Sequence, residues 1–152
     1  MSIQREYPLA PLVGTAAAIF NEAGEVLLVQ RGKPPNEGQW GLPGGLVEVG
    51  ERLVDAVARE VMEECGLAVE ICDLVALFEP IIRDEQGQVR YHYVVVDYWG
   101  RYLSGDLRPA DDAADARWVA MEGLDELPMY GESRNVVRRA RTQWEASGNG
   151  KT

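Results

Sequence analysis

Gly45-Leu46-Val47-Glu48-Val49-Gly50-Glu51-Arg52-Leu53-Val54-Asp55-Ala56-Val57-Ala58-Arg59-Glu60-Val61-Met62-Glu63-Glu64-Cys65-Gly66-Leu67 is the stretch on which the reading of this chain turns. Residues 52–65 contain neither Pro nor Gly, and Gly66 stands where a helix stop is expected, so a helix is predicted over 52–65. At about 100° per residue, Val54, Val57, Ala58, Val61 and Cys65 form an apolar stripe. Glu60, Glu63 and Glu64 fall together beside it, within an arc of roughly 100°. Spacings of three and four make their carboxylates neighbours, and like charges at that spacing oppose a helix. Arg59, one turn before Glu63, compensates in part; a divalent cation would compensate more. Oxygen-only ligands suit a hard ion, Mg²⁺ or Mn²⁺, and the cluster lacks the His or Cys set of a zinc site. On spacing alone a solvated acidic face reads the same way, and the surroundings must separate the two.

Outward from the helix, strands are expected on both sides. The small apolar run 13–20, the turn Asn21-Glu22-Ala23-Gly24 and the run 25–31 read as a hairpin. The Gly- and Pro-rich stretch 32–45 reads mostly as loop. Downstream, strands are predicted over 69–78, 91–98 and 116–119, with a turn at 84–87. An amphipathic helix is predicted over 132–145, with Val136, Val137, Ala140 and Trp144 on one face. This order predicts an α/β or α+β sandwich. A single domain is expected over 1–146, with the small, polar tail 147–152 frayed.

At 152 residues, 46% of them hydrophobic and 26% charged, the chain is long enough to bury a core without staples. With 15 Lys and Arg against 25 Asp and Glu, its net charge is −10. Such a surface repels phosphate backbones, which argues against nucleic acid or an anionic membrane as partner. An anionic substrate would need cations at the site. Two cysteines, no basic-then-apolar leader and no apolar run of membrane length point to a reducing cytoplasm.

The stretch 45–67 resembles the Nudix box: Gly, five residues, Glu, seven residues, Arg-Glu, an aliphatic residue, any residue, Glu-Glu, any residue, Gly and an aliphatic residue. Every specified position matches. The resemblance implies a Nudix-type α/β/α sandwich, with a mixed sheet between helices, and hydrolysis of a nucleoside diphosphate linked to another group. It also implies that Glu60, Glu63, Glu64 and the Gly45 carbonyl hold the metal, and that Glu51 and Arg59 orient the set. In this family an acid in the loop before Trp118 adds a ligand or a base, which selects Asp112 over Asp111; Glu63 and then Asp112 are the candidates for activating water.

Arg31, Lys33 and Arg83 are candidates for substrate phosphate or carboxylate, with a solvated cation as the plainer account of each. Trp40 and Tyr93 are candidates for stacking on a base, against simple core packing. The stretch 31–45 resembles the ADP-ribose pyrophosphatase branch, which implies hydrolysis of ADP-ribose to AMP and ribose 5-phosphate. Two other readings stay open: a sanitising hydrolase of oxidised nucleoside triphosphates, and a non-catalytic module that binds a nucleotide metabolite. Homodimerisation through the lead 7–11 is a further expectation.

Overall fold

In the computed structural model, which describes residues 3–34 and 36–148, a mixed sheet lies between two helices. Its strands, in chain order, are β1 Leu12–Phe20, β2 Val26–Arg31, β3 Trp40–Gly41, β4 Gly44–Leu46, β5 Ala68–Phe78, β6 Ile81–Arg83, β7 Val89–Ser104 and β8 Ala113–Val119. Helix α1 spans Leu53–Cys65 and α2 spans Ser133–Ala146, with a short 3-10 helix at Met121–Glu126. The expected α/β sandwich is what forms.

The centre of the sheet is the parallel pair β1–β7, in register from Leu12↔Tyr93 to Phe20↔Arg101. Alternation along β1 builds two cores. Ala18 and Phe20 face α2, packing with Val136, Val137, Ala140 and Trp144, the residues expected on its buried face. Ala17 and Ile19 face α1, packing with Val57, Val61 and Cys65. Helix α1 ends where Gly66 takes φ +73° and its N–H donates to the Met62 carbonyl, 2.9 Å away.

Several expectations change. The hairpin closes only at its turn: β1 meets β2 at Phe20↔Val26, and β2 then runs along β8, from Val26↔Val119 to Arg31↔Ala113. The vacated side of β1 takes β4, so Gly44 and Gly45 form a strand opposite Ala16 and Thr15 rather than a loop. The reason is steric: a Cβ at Gly44 would run into Ala16, so only a glycine lets the two backbones close up. β7 is longer than predicted because β1 and β5 both bond it past Tyr98. The stripe on α1 is rotated: Val54 is exposed, while Ala56 and Glu64 are buried. Ser147 closes α2 and accepts a hydrogen bond from Arg101 at 3.0 Å; residues 149–152 of the tail expected to fray lie outside the described residues.

Candidate metal and diphosphate site

β4 lays Gly45 directly against α1. A Cβ there would lie 2.5 Å from the Glu60 carboxyl carbon, so the glycine is what lets strand backbone and glutamate meet. One turn on, Glu64 is 9% exposed, with the Gly44 N–H near enough to its carboxylate to favour the charged form. Burial, then the neighbouring Glu60 charge, pushes the Glu64 carboxyl up to about 8. Glu60 is raised as well, mainly by burial. Two carboxylates held side by side out of water are short of positive charge, and that shortage is what a cation would relieve.

Arg59 meets part of it. Its Nε donates to Glu51 Oε2 at 2.7 Å and its Nη2 to Glu51 Oε1 at 3.0 Å. Its Nη1 reaches Glu60 at 2.9 Å and Glu63 at 3.2 Å, and its Nη2 the Leu46 carbonyl at 3.2 Å. The guanidinium holds Glu51 well below the usual carboxylate range, at about 2. Glu63 is the outermost of the three acids, with a side chain 45% exposed. Among the described residues no three ligating side chains already close on one point. Glu60 and Glu63 turn toward Arg59, and Glu64 stands beside Glu60. The donor set still fits a hard divalent ion: it is all oxygen, anionic, and partly desolvated.

The loop after β7 completes the cleft. Its Arg108 and Ala110 N–H groups donate to the Cys65 and Glu64 carbonyls, both at 2.9 Å, tying the loop to the end of α1. Asp111 takes φ +55°, a left-handed conformation that Asp tolerates, and Asp112 follows it. The Asp112 carbonyl accepts from Gly32 N–H at 3.0 Å, and its carboxylate pairs with Lys33 Nζ at 3.0 Å. Arg31, Gly44, Glu64, Asp112 and Tyr130 line one open cleft.

A NUDIX domain model matches residues 10–140 of this chain. The chain belongs to the Nudix hydrolase family. It is 34% identical over 109 residues to an ADP-ribose pyrophosphatase of Methanocaldococcus jannaschii, covering 72% of this chain and 62% of that protein. It is 44% identical over 122 residues to a human 8-oxo-dGDP phosphatase, covering 80% of this chain and 35% of that protein. It therefore spans less than two thirds of either relative's length. The crystal structure of an ADP-ribose pyrophosphatase from Streptococcus suis superposes with a TM-score of 0.63 at 32% identity, covering 91% of this chain and 92% of that one.

On this Nudix scaffold Gly45, Glu51, Arg59, Glu60, Glu63 and Glu64 form one cluster, and Arg31 and Asp112 share the cleft beside Glu64. Two expected substrate residues lie apart from it. Trp40 is 3% exposed and belongs to the core under α2, with the Arg117 guanidinium 4.8 Å from its ring centre, so its faces are not open to a base. Arg83 stands exposed on β6, donating to the Gly87 carbonyl of its own hairpin at 3.1 Å. Sequence reasoning missed Tyr130. Its ring occupies the space a Cβ would need at Gly41, and the Arg31 guanidinium sits 5.8 Å from its centre. No local pattern marks it, because both partners are remote in sequence. Two arginines of α2 are tethered to backbone carbonyls: Arg139 donates to Val75 O at 2.8 Å and Arg141 to Gly24 O at 3.0 Å.

Proposed function

We propose that this Nudix protein uses Mg²⁺, with Mn²⁺ as a substitute, to hydrolyse the diphosphate linkage of a nucleoside diphosphate derivative, ADP-ribose first among them. The single observation that carries this reading is the buried Glu64 carboxylate, set between Glu60 and the cleft shared by Arg31 and Asp112. Acids and bases of both signs meet there, as a metal-bound, anionic substrate requires. Glu60, Glu63, Glu64 and the Gly45 carbonyl would hold the ion. When bound, it supplies positive charge for the diphosphate oxygens and lowers the pKa of water.

The chain's own side chains do the rest. Arg59, anchored by Glu51 and the Leu46 carbonyl, sets the directions of Glu60 and Glu63. Arg31 binds phosphate oxygen. Glu63 is the first candidate, and Asp112 the second, to take a proton from the attacking water at a carboxylate oxygen. The relatives named as ADP-ribose pyrophosphatases support the substrate; AMP and ribose 5-phosphate are then the products. A cytoplasmic setting is in keeping with two free thiols and, among the described residues, no helix long and apolar enough to cross a membrane. A second copy of the chain packing near the fully exposed Leu9 belongs to the same proposal.

Chromatography of a reaction with ADP-ribose and Mg²⁺ tests it. AMP and ribose 5-phosphate in equal amounts, absent on chelation and in Glu64→Gln, are expected; a panel of nucleoside diphosphate derivatives left intact refutes it. The human relative at 44% identity favours a second reading, oxidised guanine nucleotides. Faster turnover of 8-oxo-dGDP than of ADP-ribose selects that one.

A further inference from the structure

Asp97 is 5% exposed, and among the described residues nothing donates a hydrogen bond to it. It stands on β7 in register with Ala16 of β1 and Ala76 of β5, on the sheet face that carries α2. Its oxygens are not among the wholly enclosed unpartnered atoms of the described residues, so the carboxyl lacks a protein donor yet can still be reached by a ligand that brings one. The surroundings say which kind. Two residues along the same face, Val95 is only half-buried, and beside it Gly14 has no side chain. Ala16 is also half-buried. These small residues make a flat apolar floor, with Phe78 opposite Val95 at its edge. Half-buried Tyr130 connects the floor to the metal cluster: its hydroxyl is close enough to feel the charges of Arg31, Glu64 and Asp97. A nucleotide with its diphosphate at Arg31 and Glu64 would reach past Tyr130 with its base.

We propose that Asp97 reads the purine base of the substrate, pairing its carboxyl with the N–H groups on the base's Watson–Crick edge while the ring lies on Gly14, Ala16 and Val95. This rests on the nucleotide reading above and deepens it. Apolar floor and polar end suit a purine: the ring has a flat apolar face, and its edge offers the donors that Asp97 lacks. Burial pushes the carboxyl up to about 7, so both forms are within reach near neutrality. The ionised form accepts from the two neighbouring donors of guanine. The protonated form donates to N1 of adenine and accepts from its amino group. The edge of 8-oxoguanine carries the same two donors as guanine.

Binding decides it without turnover. With Mg²⁺ present, the affinities of α,β-methylene-ADP, α,β-methylene-GDP and methylenediphosphonate, which has no base, are measured by calorimetry. Wild type is expected to bind at least one purine analogue more tightly than methylenediphosphonate. In Asp97→Leu that preference falls by roughly tenfold to a hundredfold, the worth of one good base-edge pair, while methylenediphosphonate stays within about twofold. Asp97→Asn, an isostere of the protonated acid, keeps the adenine analogue and loses the guanine analogue. Purine preference unchanged in Asp97→Leu, or absent from wild type, overturns the proposal. A purely structural Asp97 would shift the melting temperature and leave these ratios alone. Loss of purine preference in a protein that hydrolyses no diphosphate refutes the proposed function and leaves Asp97 as a base reader; hydrolysis with unchanged ratios does the reverse.

Discussion

Arg59 and Glu51 face each other through two parallel contacts, Nε to Oε2 at 2.7 Å and Nη2 to Oε1 at 3.0 Å. The Glu48 N–H also donates to Glu51 Oε1, at 3.1 Å. The pair thus clamps the loop before α1 to the middle of the helix and aims the free edge of the guanidinium at Glu60 and Glu63. Two residues eight apart in sequence thereby fix the directions of two others.

Arg59→Lys removes the fork but keeps the charge. An ammonium cannot hold Glu51 at two points while also reaching Glu60. kcat/KM in Mg²⁺ is therefore expected to fall by about a hundredfold, the scale of a misplaced catalytic group. The melting temperature falls in step. Steady-state kinetics alongside thermal melting check this; kinetics like those of the wild type would show that Arg59 directs nothing.

Glu64 makes the metal-free protein sensitive to alkali. Its folded pKa of about 8 lies above the ordinary 4.5, so folding favours the protonated form. The stability tied to that proton is complete below 4.5 and is lost as pH rises through about 8. Glu51 runs the other way: Arg59 lowers it to about 2, so its contribution is present above 4.5 and fades only as pH falls through 2. Thermal melts of metal-free protein should thus decline across the range 4.5 to 8, and Glu64→Gln should flatten that decline. Because a cation competes with the proton, Mg²⁺ should raise the melting temperature more at the alkaline end than at the acid end. An Mg²⁺ effect independent of pH would remove Glu64 from the ligand set.

How far the sequence could be read depended on how local each feature is. Helix α1 and its stop were legible because Val57, Val61 and Gly66 act within a few residues of one another. So was the buried face of α2. Glu64 was placed on the acidic side, but its burial was not legible, since Gly44 and the loop that holds Asp112 arrive from elsewhere in the chain. β4 read as loop because its two glycines have no strand propensity of their own; their place comes from the close approach to β1. Trp40 and Tyr130 show the same limit. An aromatic residue's chemistry is visible in sequence, whereas the choice between core and cleft is made by Gly41, Arg31 and Arg117 in three dimensions.

Gly45→Ala separates backbone approach from side-chain chemistry. The added methyl would sit 2.5 Å from the Glu60 carboxyl carbon and 2.6 Å from its Oε1, so Glu60 must turn aside. Glu60 is only partly buried and can move, which limits the damage to the fold. The expected result is Mg²⁺ affinity weakened by about tenfold or more, the scale seen when groups supporting a ligand are disturbed, with a melting temperature close to that of wild type. Calorimetric Mg²⁺ titration and thermal melting give the two numbers. Unchanged affinity would place the ion away from Gly45.

Glu63 and Asp112 compete for the role of base, and their surroundings differ. Glu63 faces Arg59, which also holds Glu60 beside Glu64; Asp112 faces Lys33 on the opposite wall of the cleft, with a side chain 68% exposed. An ion held by Glu60, Glu63 and Glu64 would bring its water nearer the acids of α1 than the outer loop. Glu63→Gln is therefore expected to lower kcat by about 10² to 10⁴-fold, the range for losing a general base. Asp112→Asn should cost less. Lys33→Met, which releases Asp112 from its ion pair, should move KM more than kcat. If Asp112→Asn costs kcat more than Glu63→Gln does, the loop acid is the base, and Glu63 serves the cation alone.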